Sequence, residues 1–317
     1  MYELFQFIWE VAEDGHEWQS GPMRAFTADV RKHDESALIA LGQKSRPYKP
    51  ESDLFLKFAS VDPDADLEIL RFANSYGLLG GGFRSIAPEP KPKETPTTGV
   101  TGELRSHWQQ HLHRMKAAVT LWEAIKADDS SLLASCIHWR SHDHVTYDWP
   151  PSSEFTTPWS THATIASSRI NSHLLERFEH GEVLKPARLY LQKVTNESLV
   201  RLVAPQLLWK ASDRNEMGLF MVPSSLIGCL WLQLADAIAG TQKFRLCENC
   251  KKPMLVAAEG SGYRTNRKTC SNACRISLYS GRKVKARQLR EQKVPLREIA
   301  KRLDTGVDQI KRWIAKS

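Results

Sequence analysis

Four of the chain's six cysteines stand in two close pairs. Cys247 and Cys250 are separated by two residues, Cys270 and Cys274 by three, and nineteen residues lie between the pairs. Four thiolates in two short-spaced pairs match the demand of a tetrahedral, sulfur-ligated Zn2+. With four protein ligands such a site keeps no open position, so it reads as structural and not catalytic. One bound zinc would contribute on the order of 10 kcal/mol to folding of the local domain, more than a small core supplies. Cys136 and Cys229 are isolated in apolar segments and read as small core residues.

The elements that must position these thiolates are legible around them. Phe244 to Leu246 alternates as a strand leading into the first pair, and Met254 to Val256 reads as the returning strand. The second pair opens a helix expected from Ser271 to Ser280. A knuckle on a hairpin facing a pair at a helix start is treble-clef-like geometry. The segment Glu259-Gly260-Ser261-Gly262 is flexible enough to let the pairs converge.

Directly afterwards come two short amphipathic segments. In the first, opened by Pro295, Leu296, Ile299, Ala300 and Leu303 share a face; in the second, Val307, Ile310, Trp313 and Ile314 do. Asp304, Thr305 and Gly306 form the turn, Asp304 where glycine is common and Gly306 where a Ser or Thr cap is common. With a preceding helix over Lys283 to Gln292, this predicts a trihelical helix-turn-helix with no room for a wing before Ser317. The second helix of the pair would enter the major groove of double-stranded DNA, presenting Asp308, Gln309, Lys311 and Arg312. Gln309 suits adenine, and Arg312 suits guanine or a phosphate. Arg264, Arg267, Lys268, Arg275, Arg282, Lys283, Lys285 and Arg287 are expected as phosphate contacts, giving affinity but not sequence preference.

Charge supports this reading. Residues 243–317 hold 20 Lys/Arg against 6 Asp/Glu, whereas residues 1–242 hold 24 against 30. An acidic body with a basic tail points to a polyanionic partner for the tail. The stretch Leu226 to Leu289 also resembles the CGNR-type zinc fingers of bacterial proteins. There a helical, ligand-sensing-like domain runs into a cysteine pair, and a Cys-Ser to Cys-Arg block opens a basic helix. The block here is Cys270-Ser271-Asn272-Ala273-Cys274-Arg275, with Cys274-Arg275-Ile276 in place of the tetrapeptide that names the family. The resemblance implies a transcription regulator.

For the whole chain the expected fold class is mainly α with minor β (α+β): a helical N-terminal body, a treble-clef-like finger and a trihelical tail. Residues 1–86 read as a mixed region of unassigned role. A helix lies over Asp62 to Gly77, capped by Asp62 or Asp64 and stopped by Gly77, with Leu67, Ile69, Leu70 and Phe72 as its apolar face. Gly80 to Gly82 reads as a turn and not a phosphate loop, since no Gly-Lys-Ser/Thr follows. Residues 87–99 carry four prolines in thirteen positions and read as a linker or long loop. Residues 100–242 read as a mainly helical sensing or oligomerisation domain, 243–280 as the zinc finger and 281–317 as the helix-turn-helix. Within the third region, helices are expected at 102–126 (Leu104, Trp108, Met115, Val119, Trp122), 130–139, 165–178 and 224–239. A strand is expected at Arg188 to Val194, and irregular structure over 145–165.

Two stretches invite an enzymatic reading. His107-Trp108 with His111 and His113 is echoed by His138-Trp139 with His142 and His144. On a helix His107 and His111 share a face, as metal ligands do. The blander account has core tryptophans beside surface histidines. No nucleophile elbow, phosphate loop or tight acidic pair with a base is present, and no catalytic residue is assigned. The N-terminal residues carry acids where a signal peptide is basic, and the longest apolar stretch, Met217 to Leu234, is interrupted by Pro223, Ser224, Ser225 and Gln233. A cytoplasmic DNA-binding regulator with one zinc is therefore expected. A small-molecule or protein effector on the body and a homodimer complete that expectation, and no membrane is involved. The competing readings are a nucleic-acid-targeted enzyme or effector, and an antitoxin or mobile-element adaptor.

Overall fold

A computed structural model of the chain describes residues 3–4, 7–20, 23–26, 31–33, 35–80, 84–88, 100–141, 144–149, 161–166, 180–209, 216–240, 243–250, 253–257 and 267–315. It divides into two compact units, Met1–Ala239 and Gly240–Ser317. The fold is mixed α+β, with more strand in the first unit than periodicity predicts.

The first unit contains, among the described residues, fourteen strands and six helices: α1 (Leu54–Ala59), α2 (Asp66–Tyr76), α3 (Arg105–Ala127), α4 (Ser130–Cys136), α5 (Leu184–Leu202) and α6 (Leu226–Ile238). Helix α3 is its axis. Trp108, Leu112, Met115, Val119 and Trp122 recur at steps of four and three, and all are buried. The Phe72 ring meets the Trp108 ring edge-on at 6.2 Å and the Phe58 ring edge-on at 5.2 Å, so aromatic rings from α1, α2 and α3 close one core. Helix α6 is mostly apolar, with Gln233 and Asp236 its polar residues, and almost wholly buried. No helix among the described residues is long and apolar enough to cross a membrane. The Ser225 hydroxyl caps α6 by accepting from the Gly228 N–H at 3.2 Å. Gly228 is required there, because a Cβ would stand 2.6 Å from the Leu202 carbonyl at the end of α5. Buried Gln233 of α6 accepts from the Phe55 N–H at 3.2 Å and donates to the Glu51 carbonyl at 2.7 Å. It thus serves the open N-terminus of α1, whose own N-cap residue, Asp53, makes no side-chain cap.

Several local expectations change. Arg188 to Val194 is not a strand but the middle of α5. The alternation of Arg188 to Val194 fits two periods, and burial of Ala187, Tyr190, Leu191, Val194 and Ser198 selects the helical one. Residues 145–165 are not irregular throughout: His144–Trp149 and Thr161–Ala166 pair antiparallel, with Ile137–Ser141 on the other side. That strand also ends the helix expected to reach residue 139, at Cys136. The helix expected at 165–178 lies outside the described residues from 167 onward. Helix α2 begins at Asp66 without a side-chain cap; Asp64 and Asp62 instead sit in the preceding turn, and Leu67 faces solvent. Gly77 does end it, at φ 93°, a conformation that favours glycine.

The proline-rich stretch does not separate two domains. The strands on either side of it, Arg84–Pro88 and Val100–Leu104, pair directly and antiparallel. They are central in a six-stranded antiparallel sheet of order His16–Gln19, Ala37–Ala40, Val100–Leu104, Arg84–Pro88, Met23–Phe26, Arg31–His33. Residues 1–86 and 100–239 therefore share one fold; residues 89–99 lie outside the described residues.

Among the described residues, the second unit holds a two-stranded hairpin, Lys243–Leu246 against Pro253–Ala257, and three helices: α7 (Asn272–Glu291), α8 (Leu296–Arg302) and α9 (Val307–Ala315). The helix expected to stop at Ser280 and the one expected to start at Lys283 are a single helix. Twenty residues at about 1.5 Å each make α7 about 30 Å long. Its end is a Schellman-type close: Val294 N–H donates to Leu289 O and Lys293 N–H to Arg290 O, with Lys293 left-handed at φ 61°. Ala286 of α7, Ile299, Ala300 and Leu303 at α8, and Ile310 and Trp313 of α9 form one buried cluster. Asp304 takes φ 47° in the turn between α8 and α9, the left-handed conformation that aspartate tolerates.

Candidate metal centre

The hairpin and the start of α7 bring Cys247, Cys250, Cys270 and Cys274 together. One sulfur from each lies within 4.8 Å of all the others. The Cys250 and Cys270 sulfurs are 3.5 Å apart and those of Cys270 and Cys274 3.4 Å, well beyond a disulfide bond. Ligands at about 2.3 Å from a tetrahedral zinc would stand about 3.8 Å from each other, so the cluster needs only small adjustment to grip the ion. Cys247 is buried against Met254 and Val256 of the returning strand, and the other three pack on that same small cluster. Chemistry and geometry both fit a soft, thiolate-bound metal.

The surroundings prepare thiolates. Burial pushes the Cys247 thiol up, but backbone N–H groups of Cys250, Cys270 and Asn249 together outweigh it and hold it near about 6. Cys270 donates its own N–H to Cys247 Sγ at 3.4 Å. The Cys274 thiol is held down, first by its hydrogen bond with Ser271, in the opening turn of α7 where the helix dipole favours negative charge. The Cys270 thiol is pushed up to about 12, first by burial, then by hydrogen bonds of the protonated thiol to the sulfurs of Cys274, Cys250 and Cys247, and last by the charge of Cys250. A cation bound by all four sulfurs would take the place of the proton that Cys270 keeps.

No protein-family model matches the chain, nor does any curated protein or solved structure to which it was compared.

The basic residues around the cluster divide into those holding the unit together and those facing out. Arg267 Nε donates to the Thr269 carbonyl at 3.0 Å, and its Nη2 donates to the Cys270 carbonyl, so Arg267 shapes the loop entering the second pair. Glu248, inside the first Cys pair, meets Arg282 of α7 at 3.0 Å and Lys268 at 3.7 Å. Lys268 also reaches Asp304 in the turn between α8 and α9, at 3.2 Å. One chain of charges, Arg282, Glu248, Lys268 and Asp304, thus runs from the long helix through the cysteine knuckle to the turn. Arg287 Nε donates to the Trp313 carbonyl at 3.2 Å, near the end of α9. Arg275 donates to Asn272 at 2.7 Å, and Lys283 stands over the Tyr279 ring at 5.7 Å. Lys285 faces solvent, as do Lys311 and Arg312 of α9, both beside Asp308. Gln309 Nε2 donates to the Tyr279 hydroxyl at 3.3 Å, a hydroxyl that also accepts from Trp313 Nε1 at 2.9 Å. Arg264 lies outside the described residues.

Glu248, Tyr279 and Asp304 are the site-supporting residues that sequence reasoning missed as partners. Glu248 carried a usable signal, an acid between two thiolate ligands in a segment otherwise strongly basic.

Among the described residues, the histidine stretches do not make a second centre. His107 and His111 do share a face of α3, with rings 4.5 Å apart, but His138 lies on a strand. The two copies therefore present their side chains differently, and His142 lies outside the described residues. Among the described residues, the four cysteines are the only group of His, Cys, Asp and Glu close enough to hold an ion. His107 Nε2 instead sits 3.3 Å from the Gly80 carbonyl, and buried Glu103 accepts from the N–H groups of Leu79 and Gly80 at 3.0 and 2.6 Å. The cluster pins the backbone after α2 to the start of α3. Burial raises the Glu103 carboxyl to about 7 despite those two bonds, and burial lowers the His111 imidazole to about 3.

Proposed function

We propose that this protein is a DNA-binding regulator in which a structural zinc, held by Cys247, Cys250, Cys270 and Cys274, fixes a helix-turn-helix formed by α8 and α9. In this reading the hairpin and the start of α7 are a treble-clef-like finger, and α7 doubles as the first helix of the trihelical unit. The observation that carries it is the continuity of α7. One helix begins at the thiolate cluster and ends in the core beneath α8 and α9, in a segment with 20 Lys/Arg against 6 Asp/Glu. Metal binding and the placement of α9 are thereby one structural event.

Helix α9 presents Asp308, Lys311 and Arg312 outward, and these would face the major groove. Arg312 suits a guanine edge or a phosphate, and Lys311 a phosphate. Reading a base through Gln309 would exchange its bond to Tyr279 for one to the base. Lys285, Arg290, Arg297 and Lys301, all exposed, would supply further phosphate contacts. Lys268 and Arg282 act within the protein, through Glu248 and Asp304.

Selection of bound duplexes from a random pool with the zinc-loaded full chain tests the reading. A recovered motif that loses its bias in Arg312→Ala is the expected result. Binding should also weaken with salt at a log–log slope of about −0.9 per phosphate neutralised. Absence of duplex binding at low salt overturns the proposal.

A further inference from the structure

Helix α7 is almost uncovered, yet one of its exposed side chains is bound twice by α9. The Tyr279 hydroxyl accepts from Trp313 Nε1 at 2.9 Å and from Gln309 Nε2 at 3.3 Å. Its ring meets the Trp313 indole edge-on, with centroids 5.4 Å apart. Trp313 belongs to the buried cluster beneath α8 and α9, whereas Tyr279 is 47% exposed. One side of the tyrosine therefore packs on the core, and the other stands in solvent beside the first turn of α9.

A phenol hydroxyl has one proton to give as well as lone pairs to receive. Here both α9 groups give to the oxygen, and an indole N–H can do nothing else. The Tyr279 proton is thus directed away from Trp313, and among the described residues no acceptor meets it. If Gln309 turns to a base, Trp313 still occupies the oxygen and the proton still points outward. Lys283 stands one turn further along α7, on the same face, with Nζ 5.7 Å from the centroid of the Tyr279 ring. Lys268 and Arg282 are each held by Glu248, but Lys283 pairs with no carboxylate among the described residues. A spare O–H and an unpaired ammonium side by side suit an anionic oxygen group, the O–H by a charge-assisted bond and the ammonium by its charge.

We infer that Tyr279 and Lys283 of α7 together grip one phosphodiester of the duplex, beside the base that Gln309 faces, Tyr279 giving its O–H and Lys283 its charge. Gln309 is the third residue of α9, in the half of that helix that would enter the groove. A hydroxyl in hydrogen-bond reach of it stands at the groove's edge, and the edges of a major groove about 12 Å wide are its two rows of phosphates. Such contacts carry no sequence information but fix the register in which the base contacts are made. Tyr279 is then a positioning residue twice over, since one hydroxyl holds α9 through Trp313 and sets where α9 sits on the DNA. The inference deepens the proposed function and rests on its duplex binding.

The test uses the zinc-loaded full chain and duplexes of the selected sequence, each with one phosphate replaced by an uncharged methylphosphonate. Wild type should lose about tenfold in affinity or more at a linkage beside the base that Gln309 faces. Tyr279→Phe keeps the ring against Trp313 and Lys283. It should bind the unmodified duplex about tenfold more weakly with an unchanged log–log salt slope, since no charge is lost, and its penalty at that one linkage should shrink to about threefold or less. Lys283→Gln should instead lower the slope by about 0.9. Tyr279→Phe also leaves the Trp313 N–H without its acceptor, so the same comparison is made in a Trp313→Phe background, where no donor is orphaned. A tyrosine that only holds the fold would weaken binding without altering the pattern of sensitive linkages. That result overturns the inference and leaves the DNA-binding reading standing, as does a wild-type chain indifferent to every linkage beside that base. A chain that binds no duplex overturns both.

Discussion

Helices α3 and α7 are nearly the same length, yet opposite forces hold them. Ten of the 23 residues of α3 are buried, including Trp108 and Trp122, so burial is its main hold. Of the 20 residues of α7 only Ala286 is buried. A helix that exposed is secured at its ends, by thiolates at the start and by the small cluster with Ile299, Ile310 and Trp313 near its close. The contrast teaches where each unit is vulnerable. The first should yield to lost volume and to protons, the second to lost metal and, weakly, to salt.

The largest break expected in that contrast is metal removal. A strong chelator, or Cys250→Ser, should cost the second unit on the order of 10 kcal/mol and unfold α7 to α9. Hydrogen exchange should then show lost protection beyond residue 267 and unchanged protection in α3 and α6. Normal protection in a metal-free preparation would sink the zinc reading.

Next in size is the converse. Trp108→Ala should destabilise the first unit by about 3–5 kcal/mol through the cavity beside Phe58 and Phe72. Zinc stoichiometry measured on the same variant should stay at one per chain.

Protons come third. With its folded pKa raised from 4.5 to about 7, Glu103 stabilises the first unit most at low pH, and that contribution fades as pH rises from 4.5 to 7. The full effect is on the order of 3 kcal/mol. His111 runs the other way, since its folded pKa is lowered from 6.5 to about 3 and its contribution fades as pH falls through that range. Between about pH 4.5 and 6.5 the two slopes oppose each other. Glu103→Gln should unmask the histidine slope there, seen as stability rising with pH in denaturant titrations; an unchanged profile would refute the assignment.

The smallest effect belongs to the charge chain. Lys268 is half exposed, so Lys268→Ala should lower the second unit's stability by no more than about 1 kcal/mol. The loss should shrink in high salt. A larger, salt-independent loss would mean that Lys268 does more than link Glu248 to Asp304.

Local patterns were the legible ones. The cysteine spacing, the left-handed Asp304 and the apolar faces of α8 and α9 all depend on residues within a few positions of each other. The six-stranded sheet was not legible. Its strands are three to five residues long, too short for a clear alternation, and Ala37–Ala40 pairs with Val100–Leu104 some sixty residues away. Arg188 to Val194 failed for another reason, since its pattern satisfies two periods and only burial against α3 and α6 selects one.

By itself the amino-acid sequence determined which four cysteines cluster and how unevenly the chain is charged, because ligand chemistry and net charge are properties of residue types and their spacing. Tertiary structure alone decided which cations are committed. Arg267, Lys268, Arg282 and Arg287 look interchangeable with Lys285 in the sequence, yet the first four are tied to carbonyls and carboxylates of the protein itself. A charge's partner is set by three-dimensional proximity, which folding creates between residues as far apart as Lys268 and Asp304.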